Sequence, residues 1–95
     1  MRRMEAELVT DTDKVDPIVE RLLELGFELE VIDWPGVLGT TIVATTLTDL
    51  EELAFFHYVG AIVEPLGADL MEAGIVWEPS LIRSPGVRRR RARPF

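Results

Sequence analysis

The residue types best suited to acid–base chemistry in this chain stand next to each other, as His57 and Tyr58. His57 is the only histidine among the 95 residues, and the chain has no cysteine. A general base needs a partner that orients it and a reacting group within reach, and no serine or threonine is close to His57 in the sequence. We therefore predict that His57 is a core or interface residue, and we assign no catalytic residue. The enzyme alternative is a small dimeric isomerase or monooxygenase whose pocket would contain His57, Tyr58 and Trp77.

Three aspartates, Asp11, Asp13 and Asp16, come closest to the pattern of a cation site. Their spacing does not match a calcium-binding loop, and acidic side chains are favourable at the start of any helix. The sequence has no glycine-rich phosphate loop, and the absence of cysteine excludes thiolate metal sites. The sequence accordingly predicts neither a metal nor a cofactor.

Charge is divided unequally along the chain. Residues 1–82 hold all 17 Asp and Glu against four basic residues, a net charge of −13, whereas residues 83–95 hold six Arg and no acid, a net charge of +6. Arginine pairs well with phosphate and carboxylate groups. We predict that a charged partner is bound by the arginines of the tail, namely Arg88, Arg89, Arg90, Arg91 and Arg93.

Three interpretations of this tail stay open. It could neutralise about five phosphates of a nucleic acid, it could be flexible without a dedicated partner, or it could lie on an acidic surface of this chain or of a second copy. The rest of the chain is not expected to bind nucleic acid, since the predicted third strand has no aromatic residue for base stacking. The open sheet face would also carry four carboxylates, from Glu5, Glu7, Glu28 and Glu30.

The second predicted helix is apolar on nearly every side between Glu52 and Glu64. A helix that rests on a sheet needs only an apolar stripe, so the excess predicts a subunit interface. The alternative is that neighbouring segments of the same chain cover it. Gly60 would allow a partner element to approach closely. The predicted interface residues are Trp34, Phe55, Tyr58, Val59 and Ile62.

The periodicity of apolar residues along the chain predicts which segments are strands and which are helices. Thr48 and Glu51 are spaced as a capping box at the start of the second helix, and Pro35-Gly36 suits a turn between two strands. The pattern is ambiguous from Pro65 to Gly74, where residues 68–73 fit either a helical turn or a loop. The predicted order is a strand at 6–10, a helix at 13–25, strands at 27–31 and 40–46, a helix at 48–64 and a strand at 75–78.

This order predicts an α+β fold of the ferredoxin-like split βαβ type (βαββαβ), a four-stranded antiparallel sheet with both helices on one face. The length suits one domain, at residues 1–83, followed by a basic, flexible tail at residues 84–95.

The first residues do not resemble a signal peptide, because Glu5 and Glu7 interrupt any apolar stretch. No apolar run is long enough to span a bilayer, so we expect a cytoplasmic protein without a membrane partner. We predict a small non-catalytic interaction or adaptor protein, a homo-oligomer that self-associates through its second helix and contacts a charged partner, nucleic acid or acidic protein, through its tail. A nucleic-acid-binding accessory protein is the main alternative.

Overall fold

The computed structural model describes residues 1–34, 39–75 and 86–91. Within these ranges the chain forms five strands and two helices, with short 3₁₀ turns after β1 and after α2. The elements are β1 (Arg2–Asp11), α1 (Val15–Glu24), β2 (Glu28–Asp33), β3 (Gly39–Thr48), α2 (Glu52–Val63), β4 (Asp69–Ile75) and β5 (Val87–Arg91).

All five strands belong to one sheet, in the order β4-β1-β3-β2-β5. The pairs β1–β3, β1–β4 and β2–β3 are antiparallel, whereas β2 and β5 run parallel. The prediction of a four-stranded antiparallel ferredoxin-like plait is therefore wrong: the sheet is five-stranded and mixed, although the α+β class holds. The additional strand is the arginine segment, which has no apolar alternation that could reveal it.

The sheet has a buried face and an open face. Met4, Ala6 and Leu8 of β1 alternate with Arg3, Glu5 and Glu7, and only the first set is fully buried. The buried set packs against both helices in one core. This core contains Met4, Ala6, Leu8, Val15, Ile18, Leu22, Phe27, Leu29, Val31, Ile42, Ala44, Phe55, Val59, Val63 and Ala68.

Helix α1 follows its predicted amphipathic pattern, with Val15, Ile18 and Leu22 buried. Gly26 adopts φ 88°, a conformation that suits glycine at a helix C-terminus. Asp13 lies in the 3₁₀ turn before the helix, and no side chain caps the N-terminus of α1.

Helix α2 begins later than the capping-box pattern predicts. Thr48 is the last residue of β3, where it pairs with Arg2 of β1. Its hydroxyl accepts a hydrogen bond from the Leu50 backbone N–H at 3.2 Å, and Glu51 becomes the N-cap. Thr48 thus belongs to β3, because its pairing with β1 outweighs the local pattern that predicts it at the start of the helix.

Strand β4 occupies most of the segment that the sequence leaves as a helical turn or a loop. Its register against β1 shifts between Glu7 and Leu8, so that Met71 is an extra residue between Leu70 and Glu72. This bulge breaks the apolar alternation by which a strand is recognised. The strand predicted at 75–78 overlaps β4 only at Ile75, and its remainder lies outside the described residues, as do the Pro35-Gly36 turn and the boundary after residue 83.

No helix in the described part of the chain is long and apolar enough to cross a membrane.

Candidate functional site

The arginine segment lies along the edge of β2 as β5. The pairing runs from Leu29–Val87 to Asp33–Arg91, and the Leu29 N–H donates a 2.8 Å hydrogen bond to the Gly86 carbonyl just before the strand. Side chains of a strand alternate between the two faces of a sheet, so Arg89 lies on the helix side and Arg90 on the open side.

Arg89 forms the most specific contact of this segment. Its Nε donates to Asp33 Oδ2 at 2.8 Å and its Nη2 donates to Asp33 Oδ1 at 3.1 Å, a two-bonded arginine–carboxylate pair. Nη1 also lies 3.9 Å from Oδ1 of Asp16 at the start of α1. Arg89 therefore connects β5 to both β2 and α1.

The Asp33 carboxylate also accepts a hydrogen bond from a second donor. The Thr40 hydroxyl of β3 donates to Asp33 Oδ1 at 3.0 Å, and Thr12 lies 3.2 Å from that hydroxyl. The hydrogen bonds from Arg89 hold the pKa of Asp33 below its ordinary value, with Thr40 as a smaller contributor. The same hydrogen bond raises the pKa of Arg89, so the pair is ionised on both sides.

Of the three other arginines in β5, one forms an ion pair with a described residue and two do not. Arg90 Nε donates to Glu30 Oε1 at 3.1 Å on the open face. Arg88 and Arg91 are exposed and form no ion pair with any residue that the structure describes. Arg93 lies outside the described residues.

Strand β5 is held weakly. All five of its residues are exposed, and Val87 keeps 44 % of its surface in solvent. Ordering five residues costs roughly 1–2 kcal/mol each, whereas ladder hydrogen bonds return about 0.5–1.5 kcal/mol each and exposed ion pairs about 0.2–1 kcal/mol each. These terms are of similar size, so the pairing of β5 adds little net stability.

The open face of the sheet is acidic, as predicted from the alternation. Glu72, Glu7 and Glu30 stand in one row across the strands, on either side of Val43. Burial and the carboxylates of Glu7, Glu30 and Glu72 raise the pKa of Glu5. Arg3 compensates in part, with its Nη2 2.9 Å from Glu28 Oε2. This face favours cations over phosphate.

The predicted interface residues of α2 separate into two groups. Phe55 and Val59 are fully buried in the core, so they cannot contact a partner directly. Tyr58 is 42 % exposed and Ile62 is half-buried. Gly60 is buried against Leu70 of β4, and a Cβ added there would lie 3.7 Å from Leu70 Cδ2. This is an ordinary van der Waals distance, and Gly60 faces β4 of the same chain instead of a partner element.

The outer face of α2 is nevertheless largely apolar and has no Asp, Glu, Lys or Arg between Glu52 and Glu64. Leu53 is 70 % exposed, and it shares this face with Tyr58 and His57. The small residues Ala54 and Ala61 lie between them. Sequence reasoning missed Leu53, because periodicity shows that a helix is apolar all round but does not show which side its sheet covers.

Trp34 lies at the end of β2, on the open face. It is 47 % exposed, and its Nε1 donates to the Thr41 hydroxyl at 2.9 Å. The indole thus lies against β3, and its exposed part keeps the predicted interface role open.

The residues considered for catalysis and metal binding do not converge. His57 is exposed and contacts the edge of Phe56, with ring centroids 6.0 Å apart. Among the described residues no group of three or more His, Cys, Asp or Glu is arranged to hold a metal ion. Trp77, the third residue of the enzyme alternative, lies outside them.

The site that sequence reasoning missed is the acceptor of the tail, formed by Asp33, Glu30 and Asp16. A signal existed, since β2 combines buried apolar residues with acids and the tail supplies arginines at consecutive positions. The sequence does not show which of the 17 acidic residues the arginines would contact.

Comparisons with protein-family models, curated proteins and solved structures found no match to this chain.

Proposed function

We propose that this protein is a non-catalytic interaction or adaptor protein that self-associates through the outer face of α2. The observation that carries the proposal is the exposed, largely apolar surface around Leu53 and Tyr58. Apolar surface of this kind on an otherwise charged molecule marks an interaction site.

A second copy of the chain fits this surface better than a charged partner does. Between Glu52 and Glu64 the helix has no Asp, Glu, Lys or Arg that could select an oppositely charged surface. Apart from the arginines of β5, the rest of the described surface is mostly acidic, with Asp13, Asp16 and Glu20 exposed around α1 and Glu5 on the open sheet face. Two copies approach with least repulsion at α2, and a two-fold contact presents the same face from both sides.

Light scattering across micromolar to near-millimolar concentration tests this proposal. We expect the mass to rise above that of the monomer with concentration, and Tyr58→Glu and Leu53→Glu to return it to the monomer. Leu47→Glu is the matched control, because Leu47 is 58 % exposed on β3 and does not lie on α2. A wild-type chain that stays monomeric throughout would contradict self-association, and equal loss in the Leu47 variant would contradict the role of α2.

Nucleic-acid binding through the tail is a second candidate, supported by Arg88 and Arg91, which are exposed and form no ion pair within residues 1–34, 39–75 and 86–91. Because Asp33 and Glu30 already neutralise Arg89 and Arg90, fewer phosphates can be bound than the arginine count suggests. Binding of single-stranded DNA should then show a log–log salt slope near −1.5 to −2, for about two to three phosphates at roughly −0.7 each. A slope near −3.5 would mean that β5 detaches, and no binding at low salt would exclude this candidate.

A further inference from the structure

The edge of β2 has the properties of a peptide-binding site. It presents backbone hydrogen-bonding groups to β5, as the Leu29 N–H bonded to the Gly86 carbonyl shows. Addition of an extended segment to an exposed sheet edge is a general mode of peptide recognition, in which the main chain gives affinity and the side chains give specificity.

The side chains along this edge select arginine. Asp33 accepts the fork of Arg89 through two hydrogen bonds, and Thr40 orients the receiving carboxylate. Glu30 accepts from Arg90 on the opposite face. Two consecutive arginines thus each bind one carboxylate, and the two carboxylates lie on opposite faces of the sheet.

The present occupant is exposed along its whole length and is a segment of the same chain. A tethered segment competes at high effective concentration, but 46 % of the Arg89 side chain and 53 % of the Arg90 side chain stay in solvent. An internal ligand that can be displaced would set the affinity that an external ligand must exceed.

We propose that the β2 edge, with Asp33 and Glu30, is a binding site for an arginine-rich extended segment of a partner protein, and that Val87–Arg91 blocks this site in the free protein. This site does not use α2, so it stands apart from the function proposed above.

The test uses the full-length chain carrying both Arg89→Ala and Arg90→Ala, together with a fluorescent peptide of residues 86–95 as the probe. The substitutions weaken the internal strand and leave the acceptor carboxylates in place. The apparent affinity for the peptide is proportional to the fraction of molecules in which the site is free. The site is free more often in the double variant, so we expect this variant to bind the peptide about tenfold more tightly than wild type.

Specificity is tested on the acceptor and on the peptide. Adding Asp33→Asn to the double variant should abolish the gain, whereas adding Glu20→Gln, on the exposed side of α1, should not. A peptide with lysine at each arginine position should bind several-fold more weakly, because lysine cannot form the two-bonded pair.

Equal affinity of wild type and double variant would overturn the proposal, as would equal effects of Asp33→Asn and Glu20→Gln, since both results mean general attraction to an acidic surface. If the double variant does not fold, excess peptide added to wild type must shift the amide resonances of residues 29–33, and unchanged resonances would overturn the proposal. Tyr58→Glu should leave peptide binding intact, which separates this site from self-association.

Discussion

Arg89 binds Asp33 through two hydrogen bonds, at 2.8 Å and 3.1 Å, and so joins the basic C-terminal segment to the acidic body of the chain. The contact spans 56 positions of sequence. It neutralises an arginine that an isolated tail would offer to a partner, and it makes attachment of β5 dependent on the ionisation of one carboxyl group.

Acid should detach β5. A carboxyl group whose pKa is lowered in the folded state contributes stability that is present above its ordinary pKa, 3.8 for Asp33, and is lost as the pH falls through its folded-state value. We expect amide protection in residues 87–91 to be constant near neutral pH and to disappear below pH 3.8. Hydrogen exchange followed by NMR would measure this.

Asp33→Asn is the companion variant for this measurement. It should show low protection of β5 at every pH, because the charge-assisted pair is absent, whereas Glu20→Gln should follow wild type. Protection that persists in Asp33→Asn would show that backbone pairing alone holds the strand.

Removing the charge of Glu5 should stabilise the fold. Burial and neighbouring carboxylates raise its pKa above the ordinary value of 4.5, so the folded state binds this proton more tightly than the unfolded state does. The contribution of Glu5 to the free energy of unfolding therefore becomes more favourable to the folded state as the pH falls through the folded-state pKa towards 4.5. At neutral pH we expect Glu5→Gln to add up to about 1 kcal/mol, a surface-charge magnitude.

Urea unfolding at pH 7 and at pH 4 would measure this gain, with Glu20→Gln as the exposed control. The advantage of Glu5→Gln should shrink at the lower pH. A variant less stable than wild type at neutral pH would show that Glu5 makes a favourable contact which outweighs the repulsion.

Phe55 should affect stability and not association. Its side chain is fully buried and its ring centroid lies 6.4 Å from that of Phe27. Phe55→Ala should cost about 3–5 kcal/mol of unfolding free energy through lost contacts and a cavity. Circular dichroism during denaturation would measure the cost, and the half-buried neighbour Phe56 should lose less as alanine. Comparable losses at the two positions would contradict the assignment of Phe55 to the core.

Gly67 should tolerate substitution poorly. It adopts φ 95°, and a Cβ at this position would lie 2.8 Å from Cδ of Lys14. We expect Gly67→Ala to cost about 1 kcal/mol or more in backbone strain and steric repulsion. Adding Lys14→Ala should recover only the steric part.

Gly74→Ala is the control for Gly67, because a Cβ at Gly74 meets no atom of the described part of the chain within 4 Å. Thermal unfolding of the three variants would separate the two contributions. Full recovery of stability in the double variant would mean that the backbone conformation contributes nothing.

The local sequence was sufficient for much of the architecture. Helical spacing of Val15, Ile18 and Leu22 predicted α1, and the β-branched run at residues 40–46 predicted a strand. The acidic open face followed from alternation in β1 and β2. These predictions succeeded because periodicity and intrinsic preference act within a few residues of each other.

Only the tertiary structure decided where strands end, which helix side is covered and where the arginines lie. Thr48 belongs to β3 because Arg2 pairs with it, and Phe55 is buried whereas Leu53 is exposed because the sheet lies on one side of α2. The arginines form a fifth strand because Asp33 and Glu30 stand along a free sheet edge. Charge composition determined that these arginines would seek acidic groups, but the choice among acids depended on contacts between residues far apart in the chain.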